Sequence, residues 1–304
     1  MVDIPYRREM EFSYGSAAQL APGIRRVIAN NPSAFTFHGT GTYILGSGQV
    51  AIIDPGPNDE THIDAVLDAL DGEEVSHILV THTHTDHSPG CRLLQAKTGA
   101  PTYAYGPHGA GKIKQGVQVE EGGDMDFDPD HLVKHGDIIR GRDWTVECVY
   151  TPGHTSNHMC FALQEQKALF SGDHVMAWST SIISPPDGDM AAYMDSLKLL
   201  LGRDDEIYWP THGPSIIDPK THVQAFIDHR LERERQILEC INQGTYHIRD
   251  MVPLMYSDTP EFMYPAAARS VLAAMENLVR NQQVRVEGEG GVPNMGLDST
   301  YYLA

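Results

Sequence analysis

The sequence lacks any apolar run long enough to cross a membrane. A membrane-spanning helix needs roughly 18 or more consecutive apolar residues, and no stretch of this chain approaches that length. Residues 1–12 also lack the apolar centre of a secretory signal peptide. We therefore expect a cytoplasmic protein with no membrane partner.

Cysteine is scarce, and its spacing indicates no site. The four cysteines form no C-x-x-C pair, and in a chain of 304 residues such scattered thiols are typical of buried, reduced side chains. Cys148 falls inside a predicted strand, away from the loops where ligands are expected. We therefore expect no cysteine among the metal ligands. The four residues are Cys91, Cys148, Cys160 and Cys240.

Positive charge is also in short supply. The formal net charge is −19, and residues 1–217 hold 14 of the 22 basic but 29 of the 41 acidic side chains. Six acids lie between Glu120 and Asp130, a run typical of a solvated loop. Because a strongly acidic surface repels phosphate chains, nucleic acid is a disfavoured partner. RNA stays open only if the fold creates a local basic face.

What the chain does have is a dense group of metal-binding residue types in residues 75–90, which read VSHILVTHTHTDHSPG. The apolar residues at its start predict a buried strand, and the loop that follows carries two histidines, an aspartate and a third histidine. Alternate side chains of an extended segment share one face, so His82, His84 and Asp86 can converge while His87 turns toward a neighbouring point. This geometry can serve two metals. A solvated histidine-rich loop is the alternative, which is disfavoured because the group follows a strand.

Three further strand ends supply suitable partners. His154 follows a predicted strand and the turn Thr151-Pro152-Gly153, Asp173 follows a short apolar run in Ser-Gly-Asp, and His212 follows the run 207–209. Imidazole and carboxylate are ligands that suit zinc. Catalytic residues often lie on loops at the edge of a rigid sheet. We therefore expect these three residues and those of the 82–87 loop to meet at the same metal-binding site.

Together these motifs resemble the metallo-β-lactamase superfamily of metallo-hydrolases. Its HxHxDH pattern is matched by residues 82–87, its later motifs by TPGHT, SGD and THGP, and its structural aspartate by Asp54 in AIIDPGP. The resemblance spans roughly residues 20–215 and implies an α/β fold, the four-layer αββα sandwich.

The resemblance also implies two zinc ions (Zn2+) per chain, with iron or manganese as alternatives. The first ion would be held by His82, His84 and His154. The second would be held by Asp86, His87 and His212, with Asp173 bridging the two.

Other polar residues near these motifs have no place in that ligand set. His158 is expected to orient a ligand through a hydrogen bond, whereas strand alternation should point His174 away from the metals. A loop-rich stretch between residues 99 and 143 could shape the substrate pocket, although a structural or solvent role is favoured for each of its candidates. These candidates are Tyr103, Tyr105, His108 and Lys112.

Past Pro219 the sequence changes character. Helices are predicted over residues 222–241, 248–255 and 266–279, followed by two strands, which is the outline of a winged helix. We therefore divide the chain into a catalytic domain, residues 1–218, and a small helical winged-helix-like domain, residues 219–304. The apolar stripe predicted for the first helix comprises Val223, Phe226, Ile227, Leu231, Leu238 and Ile241.

The C-terminal domain is similar to the appended domain of one subgroup of the superfamily, some of whose members cut single-stranded RNA. Its third helix carries a single basic residue, Arg269, with Arg280 just beyond. DNA recognition is therefore disfavoured, and closure of the active-site mouth or formation of a homodimer is preferred. His229 and Arg230 could face that mouth, although a surface-exposed pair is the preferred interpretation.

The resemblance implies metal-assisted hydrolysis by a hydroxide that bridges two zinc ions. Asp86 would have a second, catalytic role, orienting the nucleophile and taking a proton after attack. Zinc β-lactamases do not use a bridging aspartate, whereas thioesterase-like and RNase-like members of the superfamily do. Hydrolysis of β-lactams is therefore expected to be promiscuous at most.

The preferred substrate is a small-molecule ester, thioester or lactone, since an acidic catalytic domain is compatible with neutral acyl compounds. The principal alternative is hydrolysis of phosphodiesters in single-stranded RNA. Two other classes also stay open. One is an iron-dependent sulfur dioxygenase, which needs one redox metal, and the other is a non-catalytic regulator that binds a ligand.

Overall fold

Two β-sheets pack face to face in the computed structural model, which describes residues 2–111, 122–288 and 295–304. The first sheet has seven strands in sequential order, and the second has five in the order β12-β11-β10-β9-β8. The first contains β1 (Ala18–Ala21), β2 (Ile24–Ile28), β3 (Gly41–Leu45), β4 (Gln49–Ile53), β5 (Glu74–Leu79), β6 (Thr102–Ala104) and β7 (His131–Leu132). The second contains β8 (Ile138–Arg140), β9 (Thr145–Tyr150), β10 (Met159–Leu163), β11 (Ala168–Gly172) and β12 (Ile207–Pro210).

Helices cover the outer face of each sheet. Helices α1 (Glu60–Asp68) and α2 (Gly90–Thr98) pack on the first sheet, and α3 (Met190–Leu201) and α4 (Pro219–Asn242) pack on the second. Strand alternation divides the core, because Tyr43 points into the layer between the sheets whereas its neighbour Ile44 points toward α1 and α2. This layer order confirms the predicted αββα sandwich.

Parallel pairing brings several strand ends to one edge of the sandwich. Strand β5 lies parallel to β4 and β6, and β12 lies parallel to β11. Parallel neighbours end on the same side of a sheet. The residues that follow β4, β5, β11 and β12 therefore meet at this edge, and they include the predicted ligand motifs.

The C-terminal part has the predicted outline of three helices and a pair of strands. Beyond α4 it contains α5 (Ile248–Met255), α6 (Tyr264–Arg280) and the antiparallel strands β13 (Val284–Val286) and β14 (Tyr301–Leu303). Helix α6 packs against α3, α4 and α5, and of its residues only Pro265 and Arg280 are exposed. A recognition helix needs a wide free face to enter a DNA groove, and α6 lacks one.

The prediction that Leu231 belongs to the buried stripe of α4 is wrong. Leu231 is 51% exposed, whereas Arg230 is only 5% exposed. The buried face of α4 follows Val223, Ile227, Arg230 and Ile237, which is the spacing of one helical face. A cation therefore occupies the inward position that an apolar residue was expected to take.

None of the helices in the described residues is both long and apolar enough to span a bilayer.

A buried histidine between α1 and the first sheet makes the fold sensitive to acid. Burial lowers the pKa of His62 to about 4 from its ordinary value of 6.5, and its Nε2 lies 2.7 Å from the hydroxyl of Thr42. The unfolded chain binds a proton at His62 more readily than the folded chain does. The free energy of unfolding is therefore highest above the unfolded pKa, and it decreases as the pH falls toward the folded pKa. His62→Gln should reduce the loss of unfolding free energy between about pH 7 and pH 5 by about 2 kcal/mol.

Urea titrations at the two pH values measure this difference. His131→Gln, on an exposed strand, is the matched control and should lose as much stability as the unaltered protein. If His62→Gln loses as much as the control, His62 does not carry the acid sensitivity that we assign to it.

Candidate metal centre

Seven side chains meet at the edge where β4, β5, β11 and β12 end. They form three overlapping groups whose potential ligand atoms lie within 4.8 Å of one another. The groups are His82, His84 and His154; His82, His87 and Asp173; and Asp86, His87 and His212. The sequence motifs that lie far apart along the chain therefore occupy one place in the fold.

Three imidazole nitrogens face each other in the first cluster. His84 Nδ1 lies 3.0 Å from His82 Nε2 and 3.2 Å from His154 Nε2. Burial, reinforced by the neighbouring histidines, holds the pKa of His82 and of His84 well below the ordinary value. The two rings are therefore neutral at pH 7, which is the state in which an imidazole binds a metal.

The second cluster combines two imidazoles with a carboxylate. Asp86 Oδ2 lies 3.1 Å from His212 Nε2 and 3.5 Å from His87 Nε2. Burial alone would lower the pKa of His212, but Asp173 and Asp86 raise it to about 10. Protons thus balance the carboxylates here, and a metal ion that took their place would release them.

Asp173 lies between the two clusters. Its Oδ2 is 3.4 Å from His212 Nε2, 3.5 Å from His87 Nε2 and 4.0 Å from His154 Nε2. Its Oδ1 is buried without a hydrogen-bond partner, and so is His87 Nε2. Buried polar atoms are rarely left unsatisfied, and a carboxylate and an imidazole nitrogen that face each other in this way fit a bound cation.

Asp54 supports both clusters from behind. It follows β4 with a positive φ of 50°, and its Oδ1 accepts from the Thr81 backbone N–H at 2.7 Å. Its Oδ2 accepts from the Thr81 and Thr211 hydroxyls at 2.7 and 2.9 Å and from His87 Nδ1 at 2.9 Å. Because Nδ1 of His87 donates to Asp54, Nε2 is the nitrogen that faces the cluster and would bind a metal once its own proton is released.

Two other histidines are oriented in the same way. His154 Nδ1 donates to the carbonyl of Ile182 at 2.6 Å, and His212 Nδ1 donates to the carbonyl of Gly39 at 3.2 Å. In each ring the opposite nitrogen is left facing the cluster. A hydrogen bond on the far nitrogen is the usual support for a metal-binding imidazole.

His158 hydrogen-bonds to the backbone of one candidate ligand, and its ring lies 5.1 Å from the ring of another, His82, between centroids. Its Nε2 accepts from the Asp173 N–H at 3.3 Å, and its Nδ1 lies 2.9 Å from the Thr151 hydroxyl. A supporting role for His158 stays a prediction, and this contact is the means by which it would act. His174 lies outside the clusters with its ring against Tyr193, at 4.6 Å between centroids.

A cavity of about 430 Å³ opens onto the clusters. His84, Asp86 and Asp173 lie at its floor, and residues 33–36 and 178–182 form two of its walls. A volume of this size is in the range of sites that hold a single small molecule. The floor of a ligand-sized cavity is therefore lined by the candidate metal ligands.

The described pocket candidates from the loop-rich stretch do not line this cavity. The ring of Tyr105 stacks on Tyr150 at 4.1 Å, and His108 Nδ1 lies 2.8 Å from the Thr83 hydroxyl. Tyr103 stacks on His131, and Lys112 lies outside the described residues. Each of the three described residues thus has a structural contact.

The C-terminal helices supply the remaining wall. His229, Arg230 and Arg233 of α4 line the cavity together with Ala266 and Ala267 of α6. The preference for a surface-exposed pair at 229 and 230 is wrong, because the buried face of α4 includes both the apolar positions and Arg230. Val223, Phe226 and Arg230 follow the i, i+3, i+7 spacing of one helical face, and this spacing could have predicted that Arg230 is buried. A charged residue is, however, seldom assigned to a buried face.

Comparison with known proteins agrees with this architecture. Residues 36–212 match the model of the metallo-beta-lactamase superfamily, and residues 248–291 match that of the beta-lactamase associated winged helix domain. A relative named beta-lactamase-like protein 2 homolog from Drosophila melanogaster is 32% identical, with 89% of this chain and 92% of that one covered. These matches confirm the resemblance, including the appended domain.

Two further proteins extend the comparison. A protein named atrochrysone carboxyl ACP thioesterase from Aspergillus chevalieri is 28% identical, with 90% of this chain and 86% of that one covered. The crystal structure of a beta-lactamase domain protein from Burkholderia ambifaria superposes with a TM-score of 0.80 at 20% identity, with 99% of this chain and 97% of that one covered. The structural likeness thus extends over both parts of the fold.

The two clusters predict a specific pattern of metal loss. His154 belongs only to the first cluster and His212 only to the second. If each cluster holds one ion, His154→Ala and His212→Ala should each reduce the bound metal from two ions to about one per chain. Asp173→Ala removes the carboxylate between the clusters and should reduce it further. Elemental analysis of metal-replete, desalted protein measures the content.

The matched control for these variants is His222→Gln. His222 is buried, but its Nε2 donates to the Met176 carbonyl at 3.0 Å, and it belongs to neither cluster. It should keep the metal content of the unaltered protein. If the unaltered protein contains no bound metal after separate incubations with zinc, iron and manganese, the metal site is ruled out.

Asp54→Asn tests the support behind the clusters. An amide in place of the carboxylate cannot accept all four hydrogen bonds, so the orientation of His87 should be weakened. Loss of such a supporting contact typically lowers metal affinity by about 10- to 100-fold. Competition with a chelator measures the affinity, and exposed Asp64→Asn is the control; equal affinities for the two variants would contradict the assignment.

Proposed function

The chain belongs to the metallo-β-lactamase superfamily of hydrolytic enzymes, and we propose that it hydrolyses a small ester, thioester or lactone, with thioesters preferred. The observation that carries this proposal is the ligand-sized cavity with the candidate metal ligands at its floor. The thioesterase name of one relative supports the choice of thioesters. Asp173, which lies between the clusters, is the residue on which the sequence analysis disfavoured β-lactams as substrates.

We propose that the two clusters hold two zinc ions, with Asp173 shared between them. Bound there, the metals would polarise the substrate carbonyl and lower the pKa of water toward 7. The residues fit this purpose because their free nitrogens face inward and because two buried atoms, His87 Nε2 and Asp173 Oδ1, lack partners. Iron and manganese stay open as alternatives, since both accept the same ligand types.

Asp86 is the proposed proton acceptor. It lies at the floor of the cavity, and its side chain is 20% exposed, whereas that of His87 is fully buried. Its Oδ2 faces His212 and His87, which leaves the carboxylate placed between the second cluster and the substrate space. A carboxylate in this position can orient a water molecule and receive its proton.

The C-terminal helices have a proposed role in excluding water and fixing the substrate. Helices α4 and α6 close one side of the cavity, which would keep bulk solvent from reaching the clusters on that side. Exclusion of water strengthens the electrostatic interactions around a reacting group. The division of the chain at residues 218 and 219, the cytoplasmic location and the homodimer stay predictions.

RNA hydrolysis is the second candidate to be tested, because some winged-helix members of the superfamily cut single strands. The enclosed α6 and the small cavity oppose it. A sulfur dioxygenase would require a single iron, and a non-catalytic regulator would bind a ligand without turnover. The same purified protein can be tested for the proposed activity and for these three alternatives.

The decisive assay compares thioesters with RNA. Zinc-replete protein is expected to release free thiol from a panel of acyl thioesters and to leave a labelled RNA oligomer intact. Asp86→Asn should lower kcat on the best thioester by about 100-fold or more, the usual contribution of a positioned acid–base group. Exposed Asp195→Asn on α3 is the control and should keep the rate of the unaltered protein.

Three outcomes would replace the proposal. Cleavage of the RNA with no thiol release would favour the phosphodiesterase. A single bound iron with oxygen consumption on a persulfide would favour the dioxygenase. Tight binding of one ligand with no turnover on any substrate would favour the regulator.

A further inference from the structure

We infer that the substrate carries an anionic group, a carboxylate or a phosphate, which Arg230 and Arg233 bind at the wall of the cavity formed by α4. This inference rests on the proposed function, because it names the kind of thioester or ester that the same cavity takes. It begins from an imbalance of charge. The chain carries a net charge of −19, yet this wall presents two guanidinium groups.

Neither guanidinium has a carboxylate partner within the described residues. Arg230 and Arg233 both line the cavity, and neither takes part in any of the ion pairs that the described side chains form within 4.0 Å. Arg230 is 5% exposed. The Nε atoms of both side chains are buried without a hydrogen-bond partner.

The contacts that hold these arginines are neutral. Arg230 Nη2 donates to the Ser181 carbonyl, and its guanidinium lies 5.2 Å from the ring centroid of Tyr193. Arg233 Nη1 donates to the carbonyl of Met255 and to Gln236 Oε1, and its guanidinium lies 4.1 Å from the ring centroid of Tyr256. These partners orient the cations without neutralising them.

Two other partly buried arginines, Arg203 and Arg25, are paired with acids. Arg203 binds Asp205 at 2.7 Å and Glu147 at 3.2 Å, and Arg25 binds Glu73. Arg26 is buried without such a partner, but it donates to the Gly213 carbonyl at 2.8 Å and does not line the cavity. Only on the α4 wall do unpaired guanidinium groups line the cavity.

An arginine remains charged at any physiological pH, and a buried charge without a counter-charge is unfavourable. A substrate anion would supply that counter-charge. The positive potential of the wall also acts on its neighbour His229, whose pKa is lowered to about 3 by burial and then by Arg230 and Arg233. Arg is also the side chain best suited to bind the two oxygens of a carboxylate or phosphate.

Arg230 and the metal clusters are joined through one loop. The Ser181 carbonyl accepts from Arg230, while the Ser181 hydroxyl donates to the Asp173 carbonyl at 2.5 Å. The next residue, Ile182, accepts from His154 Nδ1. A substrate can therefore present its reacting carbonyl to the floor of the cavity and its anion to the wall, with Met263, Ala266 and Ala267 of the same cavity beside it.

The neutral acyl compounds favoured by the overall composition are therefore not the expected substrates. The net acidity of the whole chain does not describe the cavity, where the acids lie at the floor and the α4 wall carries the two arginines. The anion could belong to the acyl group, as a terminal carboxylate, or to the thiol arm, as a phosphate. Both sources offer the same oxygens to the two guanidinium groups.

Matched substrates separate these sources. One pair is the hexanoyl and 5-carboxypentanoyl thioesters of N-acetylcysteamine, and the other is the hexanoyl thioesters of pantetheine and of 4′-phosphopantetheine. In at least one pair, kcat/KM should be about 10- to 100-fold higher for the charged member, the range expected for charge-assisted hydrogen bonds. The pair that shows the preference identifies the source of the anion.

Variants then test the residues. Arg230→Gln and Arg233→Gln should each reduce the ratio of kcat/KM between charged and neutral members by about 10-fold or more. Arg235→Gln is the matched control, since Arg235 lies on the same helix but is exposed and paired with Glu232 and Glu239. It should keep the ratio of the unaltered protein.

Two results would overturn the inference. One is an unaltered protein that hydrolyses both members of both pairs with equal kcat/KM, a measurement that needs no variant and stands even if Arg230→Gln fails to fold. The other is an equal loss of the charged and neutral substrates in both variants, which would indicate a structural role.

Failure of the proposed function gives a different result. If no thioester is hydrolysed, calorimetric titration with adipate and with 4′-phosphopantetheine tests the anion site alone. Binding that Arg230→Gln weakens by about 10-fold or more supports the site. Absent or equal binding overturns it.

Discussion

The carboxylate of Asp54 is the contact on which the centre depends. It is fully buried, and it accepts four hydrogen bonds that join the end of β4 to the residues that follow β5 and β12. The two sheets are thereby fastened at one point. Because the Thr81 hydroxyl donates to Asp54, its oxygen is left to accept from His82 Nδ1 at 3.1 Å. One anion thus orients a ring in each cluster, His82 in the first and His87 in the second, and a buried charge with so many donors is stable where an isolated one would not be.

The charge of the molecule is organised at two scales. Over the whole chain acids outnumber bases by 41 to 22, which repels polyanions at long range. Within the cavity the acids are confined to the floor, where Asp86 and Asp173 lie among histidines, and the wall carries Arg230 and Arg233. Short-range contacts in a desolvated space outweigh the screened field of the surface. The composition of a protein is therefore a poor guide to the charge of its cavity.

The C-terminal helices line the same cavity as the candidate metal ligands. Helix α4 packs on α3, α5 and α6, and its buried residues include Arg230. Small residues on α6, Ala266 and Ala267, leave room for the cavity beside it. The same helix arrangement that could present a recognition face elsewhere is turned inward here.

The sequence by itself determined the layers of the fold and the identity of the candidate ligands. Strand ends followed by His82, Asp173 or His212 are local patterns, and the alternation of Tyr43 and Ile44 assigns each side chain to a layer from its neighbours alone. Only the tertiary structure decided which residues surround the substrate. Tyr105 and His108 are near the motifs in sequence but point elsewhere, whereas residues 33–36, Trp178 and Arg230 come from distant segments. A ligand motif is set by short-range geometry, but a cavity is the space left between elements, and its shape and charge depend on how those elements pack.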